Sequence, residues 1–527
     1  MERGSSPTLT GPTVFVKIQR DGAHSLATIG DQENLAITRE VSVIRSIRGL
    51  FGILLVMGSW YGGVLPGEAA AEDWPQFRGP NATGVAKESH HPPTEFSAEK
   101  NVAWSLELGP GVACPVISQG RVFTTNLTED GQFVVLGLDE ETGELLWETK
   151  FETGTLPEIT SPNEQASSTP ATDGERVFVH FSTIGLIGMN ASNGEVLWKY
   201  PLPMPFYLMS WGAANSPIVY QDTVIFNLDD DLDPYLIAVD KLSGELRWKV
   251  SRPEMLGGYA VPVLCTADGQ TDVVVAGSGK LKGYDPETGD ERWTCNSLLR
   301  TIMTTPAVWR DRIYISVQSY GDTDRVLKYA LLQWRDTNQD GMLDKSELED
   351  AFHDKFDQGD ADQDGLLVDD EIDRAFQSPE NMVGGGNIIQ SIQGGGAGDV
   401  TESRMVWNLD SKAPSNISSP LAYDGRLFVV KKGGISAAFD LEDGSEIWEK
   451  KRIQNFGNYY ASPIAAGGRI YVPGENGNIV VLNAGPSLEV LAKNDVGDSV
   501  IATPAIANDR LFVRTLHKLY CFAEPSE

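Results

Sequence analysis

One ten-residue phrase recurs along the chain as LDEETGELLW (138–147), MNASNGEVLW (189–198), VDKLSGELRW (239–248), YDPETGDERW (284–293) and FDLEDGSEIW (439–448). In every copy a glycine stands four residues before the tryptophan, and an Asp or Asn stands four residues before the glycine. This is turn chemistry. The Asp or Asn side chain caps a tight turn, and the glycine takes a positive φ that other residues adopt only at a cost. A strand ending in Trp then leaves the turn. A second phrase runs in step with the first, as in STPATDGERVFVHF, SSPLAYDGRLFVVK and ASPIAAGGRIYVPG: a small residue, Pro, an apolar pair, a polar turn and an alternating strand. Its prolines fall at 115, 170, 217, 262, 306, 420, 463 and 504.

Repeats of about 45 residues, each four strands ending in a docking Trp, predict an all-β chain folded as a β-propeller. A single such sheet cannot bury both faces, but sheets packed around an axis can. Eight prolines give eight blades. Seven is the rival count, because the repeat at 474–491 ends in Leu491 rather than Trp. The final repeat, TPAIANDRLFVRTLHKLYCF, supplies three strands, and NVAWSLEL (101–108) supplies a strand with no blade of its own. Trp104 is therefore expected to complete the eighth blade and leave no open edge. The propeller is assigned to residues 101–527 and a lead segment to 72–100.

The interval between Pro306 and Pro420 is far longer than the others. It holds an insertion in blade five, assigned to 325–383, with two twelve-residue loops, DTNQDGMLDKSE and DADQDGLLVDDE. Ca²⁺ takes six to eight oxygens, supplied in such loops from positions 1, 3, 5, 7, 9 and 12. Those positions are Asp336, Asn338, Asp340, the Met342 carbonyl, Asp344 and Glu347 in the first loop. In the second they are Asp360, Asp362, Asp364, the Leu366 carbonyl and Glu371, with a water expected in place of Val368. Gly341 and Gly365 make the sharp turn at position 6, and Leu343 and Leu367 can pair as a short strand. The acidic residues between 336 and 373 face only Lys345 and Lys355, a balance that calls for a cation.

Arg45 and Arg48 precede an apolar run, LFGILLVMGSWYGGVL (50–65), followed by small residues at Ala69 and Ala71. That order reads as an export signal cleaved after Ala71, so residues 1–71 are an N-terminal extension and signal. The run is too short and glycine-broken to span a bilayer comfortably, and no membrane span is expected after cleavage. The formal charge of −32 argues against nucleic acid and anionic lipid as partners. Cys114, Cys265, Cys295 and Cys521 include no adjacent pair; Cys265–Cys295 is the pairing to test. The sequence has no HExxH, GxSxG or phosphate-binding loop.

The D-x-x-[TSN]-G-E-x-x-W phrase resembles the repeat of the pyrroloquinoline-quinone dehydrogenase family, and WPQFRGPNATG (74–84) resembles the opening of an exported bacterial subfamily. The two acidic loops resemble bacterial EF-hands. The resemblance implies an eight-bladed quinoprotein-like propeller with a small α-helical EF-hand module, and admits pyrroloquinoline quinone as a cofactor besides calcium. The dehydrogenases hold that quinone under a disulfide of adjacent cysteines, which this chain lacks. Relatives without enzymatic activity point instead to a binding or scaffold module for an envelope protein, a polysaccharide or a small molecule, so a protein or carbohydrate partner is expected. A ligand face would lie on the loops PFYLMSWGAANSP, EMLGGYAVP, SLLRTIMTTP and NFGNYYASP, with Trp211, Tyr259, Arg300, Tyr459 and Tyr460 around the axis.

Overall fold

The computed structural model describes residues 73–207, 210–296, 303–319, 332, 335–348, 350–368, 370–376, 386–410, 417–454 and 457–525. The expected signal segment and Arg300 lie outside them. Eight antiparallel sheets form an eight-bladed β-propeller. Blade one runs Val116–Ser118, Arg121–Leu127, Gln132–Asp139 and Leu145–Glu152, and blades two, three, four, six and seven repeat that meander. Blade eight takes three strands from the C-terminal repeat and its outer strand, Val102–Glu107, from the N-terminal side, where Trp104 sits opposite Cys521.

In most blades the tryptophan of the outer strand reaches the next blade; Trp293 is an exception, its indole donating to Asp272 of its own blade at 2.7 Å. The Trp104 indole donates to the Glu140 carbonyl at 2.9 Å, and Trp147, Trp198, Trp248 and Trp407 reach Ala191, Lys241, Pro286 and Leu441 in the same way. Each indole lies over the turn glycine of the next blade. A Cβ added to Gly143 would fall 2.5 Å from the Trp104 ring, and one added to Gly194 would fall 2.4 Å from Trp147. So the glycine is required twice, for its left-handed φ (72° and 71°) and for the bare surface that admits the indole.

The proline phrase also has a structural reason. The residue before each Pro is extended, and at six of the eight positions its N–H donates to the hydroxyl at the same position in the next blade. The links are Cys114 to Thr169, Thr169 to Ser216, Val261 to Thr305, Thr305 to Ser419, Ser419 to Ser462 and Ser462 to Thr503, at 2.9–3.1 Å. These links form a belt around the inner wall.

Innermost strands run from the end where blade-to-blade connections arrive, here the loop face, to the end carrying the first turn, the turn face. The lead segment lies across the turn face. Trp74 exchanges backbone hydrogen bonds with Ile117, Pro75 accepts from Thr172, the Asn81 amide exchanges two with Leu264, and residues 84–86 pair with Ala465. Further along, Glu88 accepts from the Tyr423 hydroxyl and Asp509 accepts from the His91 N–H. The lead therefore touches blades one, two, four, six, seven and eight. Arg78, fully buried, donates to the Pro420 carbonyl at 2.6 Å, and burial pushes its guanidinium down to about 9.

All four cysteines are buried and none forms a disulfide. Cys265 and Cys295 share blade four, but on its first and fourth strands. Three inter-strand spacings of about 4.8 Å separate them, beyond the reach of a disulfide, so that pairing is corrected. Among the described residues no helix is long and apolar enough to cross a membrane.

Candidate functional site

The insertion leaves blade five after Arg312–Ser319 and returns at Gly386–Gln393, on the loop face. Its two acidic loops have matching backbones. Gln339 and Gln363 are left-handed at position 4, Gly341 and Gly365 at position 6. Leu343 and Leu367, both fully buried, pair antiparallel across the short strand between the loops.

Backbone amides hold each loop carboxylate in place. In the first loop Asp336 accepts from the Gly341 N–H at 2.8 Å, Asn338 from Asp340 at 2.8 Å, Asp340 from Met342 at 2.9 Å and Asp344 from Ser346 at 2.7 Å. Glu347 returns over the loop to accept from Thr337 at 2.9 Å and Asp344 at 3.1 Å. In the second loop Asp360 accepts from Gly365, Asp362 from Asp364, Asp364 from Leu366, and Glu371 from Ala361 and Val368. One oxygen from each of Asp360, Asp362 and Asp364 lies within 4.8 Å of the others. The second oxygen of Asp360 is buried without a hydrogen-bond partner. Like charges held this close, with an unpartnered carboxylate oxygen among them, are an arrangement that a hard divalent cation would fit.

This module does not stand apart from the ring. Its apolar core of Leu343, Leu348, Phe352, Phe356, Leu367, Ile372 and Phe376 also takes in Phe206 and Leu232 from the propeller. Phe206 stands edge-on to Phe352 with ring centroids 4.4 Å apart, and the Arg335 guanidinium lies over the other side of its ring. Phe206 belongs to the connection from blade two to blade three, Leu232 to the second-to-third-strand hairpin of blade three. That hairpin, NLDDDLDPY, is acidic for structural reasons. Asp230 accepts from the N–H groups of Phe206, Leu232 and Asp233, and Asp229 is buried in an ion pair with Arg252 at 3.1 Å. Burial raises the Asp229 carboxyl to about 6 against the pull of Arg252. Lys355 of the insertion is half-buried; desolvation lowers its ammonium while Asp230, Asp231 and Asp233 hold it up.

Beside the module lies the aromatic part of the expected ligand face. Tyr207 stacks on Tyr259 at 5.1 Å, and Trp211 meets Tyr259 at 6.2 Å. Burial drives both phenols well above the ordinary range, and the neighbouring Asp230 and Asp231 add to it. Tyr459 is buried in the core of blades six and seven, its hydroxyl donating to the Gln454 carbonyl, whereas Tyr460 is half-buried near Glu475. The structure thus brings Trp211 and Tyr259 together, with Tyr207 as a third ring. Phe206, Tyr207 and Leu232 escaped the sequence reading of the site. Their signal, adjacent aromatics in a Pro-rich connection, is the kind that inter-blade packing also produces.

A planar quinone tricarboxylate would need a platform and cations. Among the described residues the cysteines are isolated, the charges near Trp211 and Tyr259 are mostly carboxylates, and Arg252 is committed to Asp229. These residues do not fit that cofactor.

A family model described as outer membrane protein assembly factor BamB matches residues 96–211, 209–342 and 392–525. An outer membrane protein assembly factor BamB from Shewanella oneidensis is 24% identical over 236 residues, which span 40% of this chain and 55% of that relative's length. In solved structures the fold is similar to BamB from Moraxella catarrhalis (TM-score 0.51, 14% identity, 81% of this chain and 98% of that one). It is similar also to a europium-containing methanol dehydrogenase (TM-score 0.52, 10% identity, 86% and 98%). A quinohemoprotein alcohol dehydrogenase from Comamonas testosteroni gives 0.50 at 13% identity, over 86% and 81%.

Proposed function

The chain belongs to the family described as outer membrane protein assembly factor BamB, and from that premise we propose that it is an exported, calcium-binding scaffold that holds a protein partner on its loop face. The observation that carries this reading is the asymmetry of the ring. The lead segment occupies the turn face through backbone pairing with several blades, while the loop face keeps Trp211 and Tyr259 beside the inserted module and the half-buried Tyr460 on the connection from blade six to blade seven. Aromatic side chains with little rotamer freedom are the usual anchors of protein interfaces. The relatives named as assembly factors support a protein partner over a polysaccharide or a small molecule. Arg45, Arg48 and the run 50–65 support export.

In the two loops the carboxylates, Asn338 and the Met342 and Leu366 carbonyls would hold Ca²⁺, which would supply charge balance and rigidity. Exported modules of this kind bind at ~10⁻⁴ to 10⁻³ M, so the sites would stay filled outside a cell.

Calorimetric titration of calcium into the purified protein tests the metal reading. Binding is expected in the wild type and lost in Glu347→Gln/Glu371→Gln, with the far-ultraviolet β signal intact. Collapse of that signal in the double variant would show that the ring needs the module. For the partner, photo-crosslinkers at Trp211 and Tyr259 are expected to capture an envelope protein that a crosslinker at Asn81, on the turn face, does not. The rival reading, a quinone-dependent oxidoreductase, predicts dye reduction with alcohols or sugars when pyrroloquinoline quinone and calcium are added at stoichiometric amounts. Such activity would overturn the scaffold proposal.

A further inference from the structure

Two consecutive residues connect the inserted module to the loop face. Phe206 is packed in the module's apolar core against Phe352, with Arg335 over its ring. Tyr207, the next residue, turns the other way: it stacks on Tyr259, and its hydroxyl donates to Asn215 at 3.1 Å. The backbone between them is fixed to blade three, since the Phe206 N–H donates to Asp230 and the Asp231 N–H donates to the Phe206 carbonyl. A rearrangement of the module's helices that moved Phe352 would move Phe206, and with it the tyrosine at the edge of the aromatic cluster.

Glu347 and Glu371 end the loops and begin the segments that carry Leu348, Phe352, Ile372 and Phe376, so the same residues that close the loops set the spacing of the apolar core. Sensor pairs of such loops open an apolar groove on binding calcium, whereas buffer pairs barely open. Here a residue of the chain's own propeller packs against that apolar core, and Leu232 extends the contact onto the hairpin of blade three.

We propose that calcium loading of the inserted pair and the packing of Phe206 and Tyr207, in the connection between blades two and three, are energetically coupled, so that the cation sets the shape of the partner-binding face. The proposal rests on the calcium reading above and adds a mechanism to it. Coupling between sites is reciprocal. If calcium tightens that packing, then loosening the packing must weaken calcium.

Hydrogen exchange of the peptide 203–217 in calcium and in chelator, together with calcium titration of wild type and Phe206→Ala, tests it. Calcium is expected to slow exchange across 203–217, and Phe206→Ala to weaken calcium binding by about five-fold or more. Leu232→Ser, on the second point of contact, is expected to act in the same direction while the β signal of both variants stays that of the wild type. The coupling is overturned if the wild type binds calcium but 203–217 exchanges alike in both conditions and Phe206→Ala binds within about two-fold of it; the calcium reading would then stand. If the wild type takes up no calcium, both fall together.

Discussion

The indole N–H of Trp104 donates to the backbone carbonyl of Glu140 at 2.9 Å, so a tryptophan from the first strand of the propeller locks the last blade to the first. Trp448, at the equivalent place in blade six, has a buried N–H with no partner, because blade seven lacks the matching turn. Both Trp104→Phe and Trp448→Phe leave a smaller ring in the core, and Trp104→Phe is expected to cost about 1 kcal/mol more for the lost hydrogen bond. Trp104→Ala should cost about 3–5 kcal/mol. Urea midpoints at constant slope measure all three.

Gly194 and Gly131 share a left-handed backbone, with φ of 71° and 80°, but not an environment. A Cβ on Gly194 strikes Trp147, whereas one on Gly131 meets nothing within 4 Å. Both Ala variants pay about 1 kcal/mol for conformation. Gly194→Ala is expected to lose a further ~1–3 kcal/mol by displacing the indole, and its thermal midpoint should fall below that of Gly131→Ala.

Arg252 and Asp229 are both almost wholly buried, and removing either strands the other. Arg252→Met should destabilise by about 3–5 kcal/mol at neutral pH, and adding Asp229→Leu should recover part of that. The folded value of Asp229, about 6, lies above its unfolded one. Its contribution is thus complete below pH ~4 and lost as pH rises through ~6. Without Arg252 the carboxyl protonates more readily still, so the penalty of Arg252→Met is expected to shrink as the medium is acidified. Denaturation of both proteins between pH 4 and 8 checks the trend.

His180 is buried against Phe226, ring centroids 4.5 Å apart, and desolvation lowers its imidazole to about 3. The unfolded chain takes the proton first. Stability from this group is therefore complete above pH ~6.5 and lost as pH falls from there toward ~3. His180→Gln cannot titrate, so its stability is expected to decline less steeply than that of the wild type across that window.

The blade count was legible because each sheet must bury two faces, and that demand repeats the same turn and the same Trp at a fixed interval. The pairing of glycine with tryptophan was not. Gly143 and Trp147 share one phrase, yet Gly143 serves Trp104 and Trp147 is served by Gly194. The turns of the two acidic loops and the pairing of Leu343 with Leu367 were legible, since their spacing is set locally. The docking of Phe206 on Phe352 and the lead crossing the turn face were not, because loops of Pro, Gly and scattered aromatics carry no periodicity that says what they touch. Trp74 and Arg78 are among the most buried large side chains in the protein, and both come from such a segment.

The belt of hydroxyls before the prolines constrains how the protein can vary. Each hydroxyl receives from one neighbour while its own residue's N–H gives to the next, so deleting or duplicating a single blade leaves an orderly inner wall so long as the inserted unit begins with Ser-Pro or Thr-Pro. Val261 and Cys114 mark two places where that hand-to-hand chain lacks a hydroxyl. A ring with a changed blade count would keep that inner wall only where its new neighbours also satisfied the Trp-over-glycine contacts on the rim.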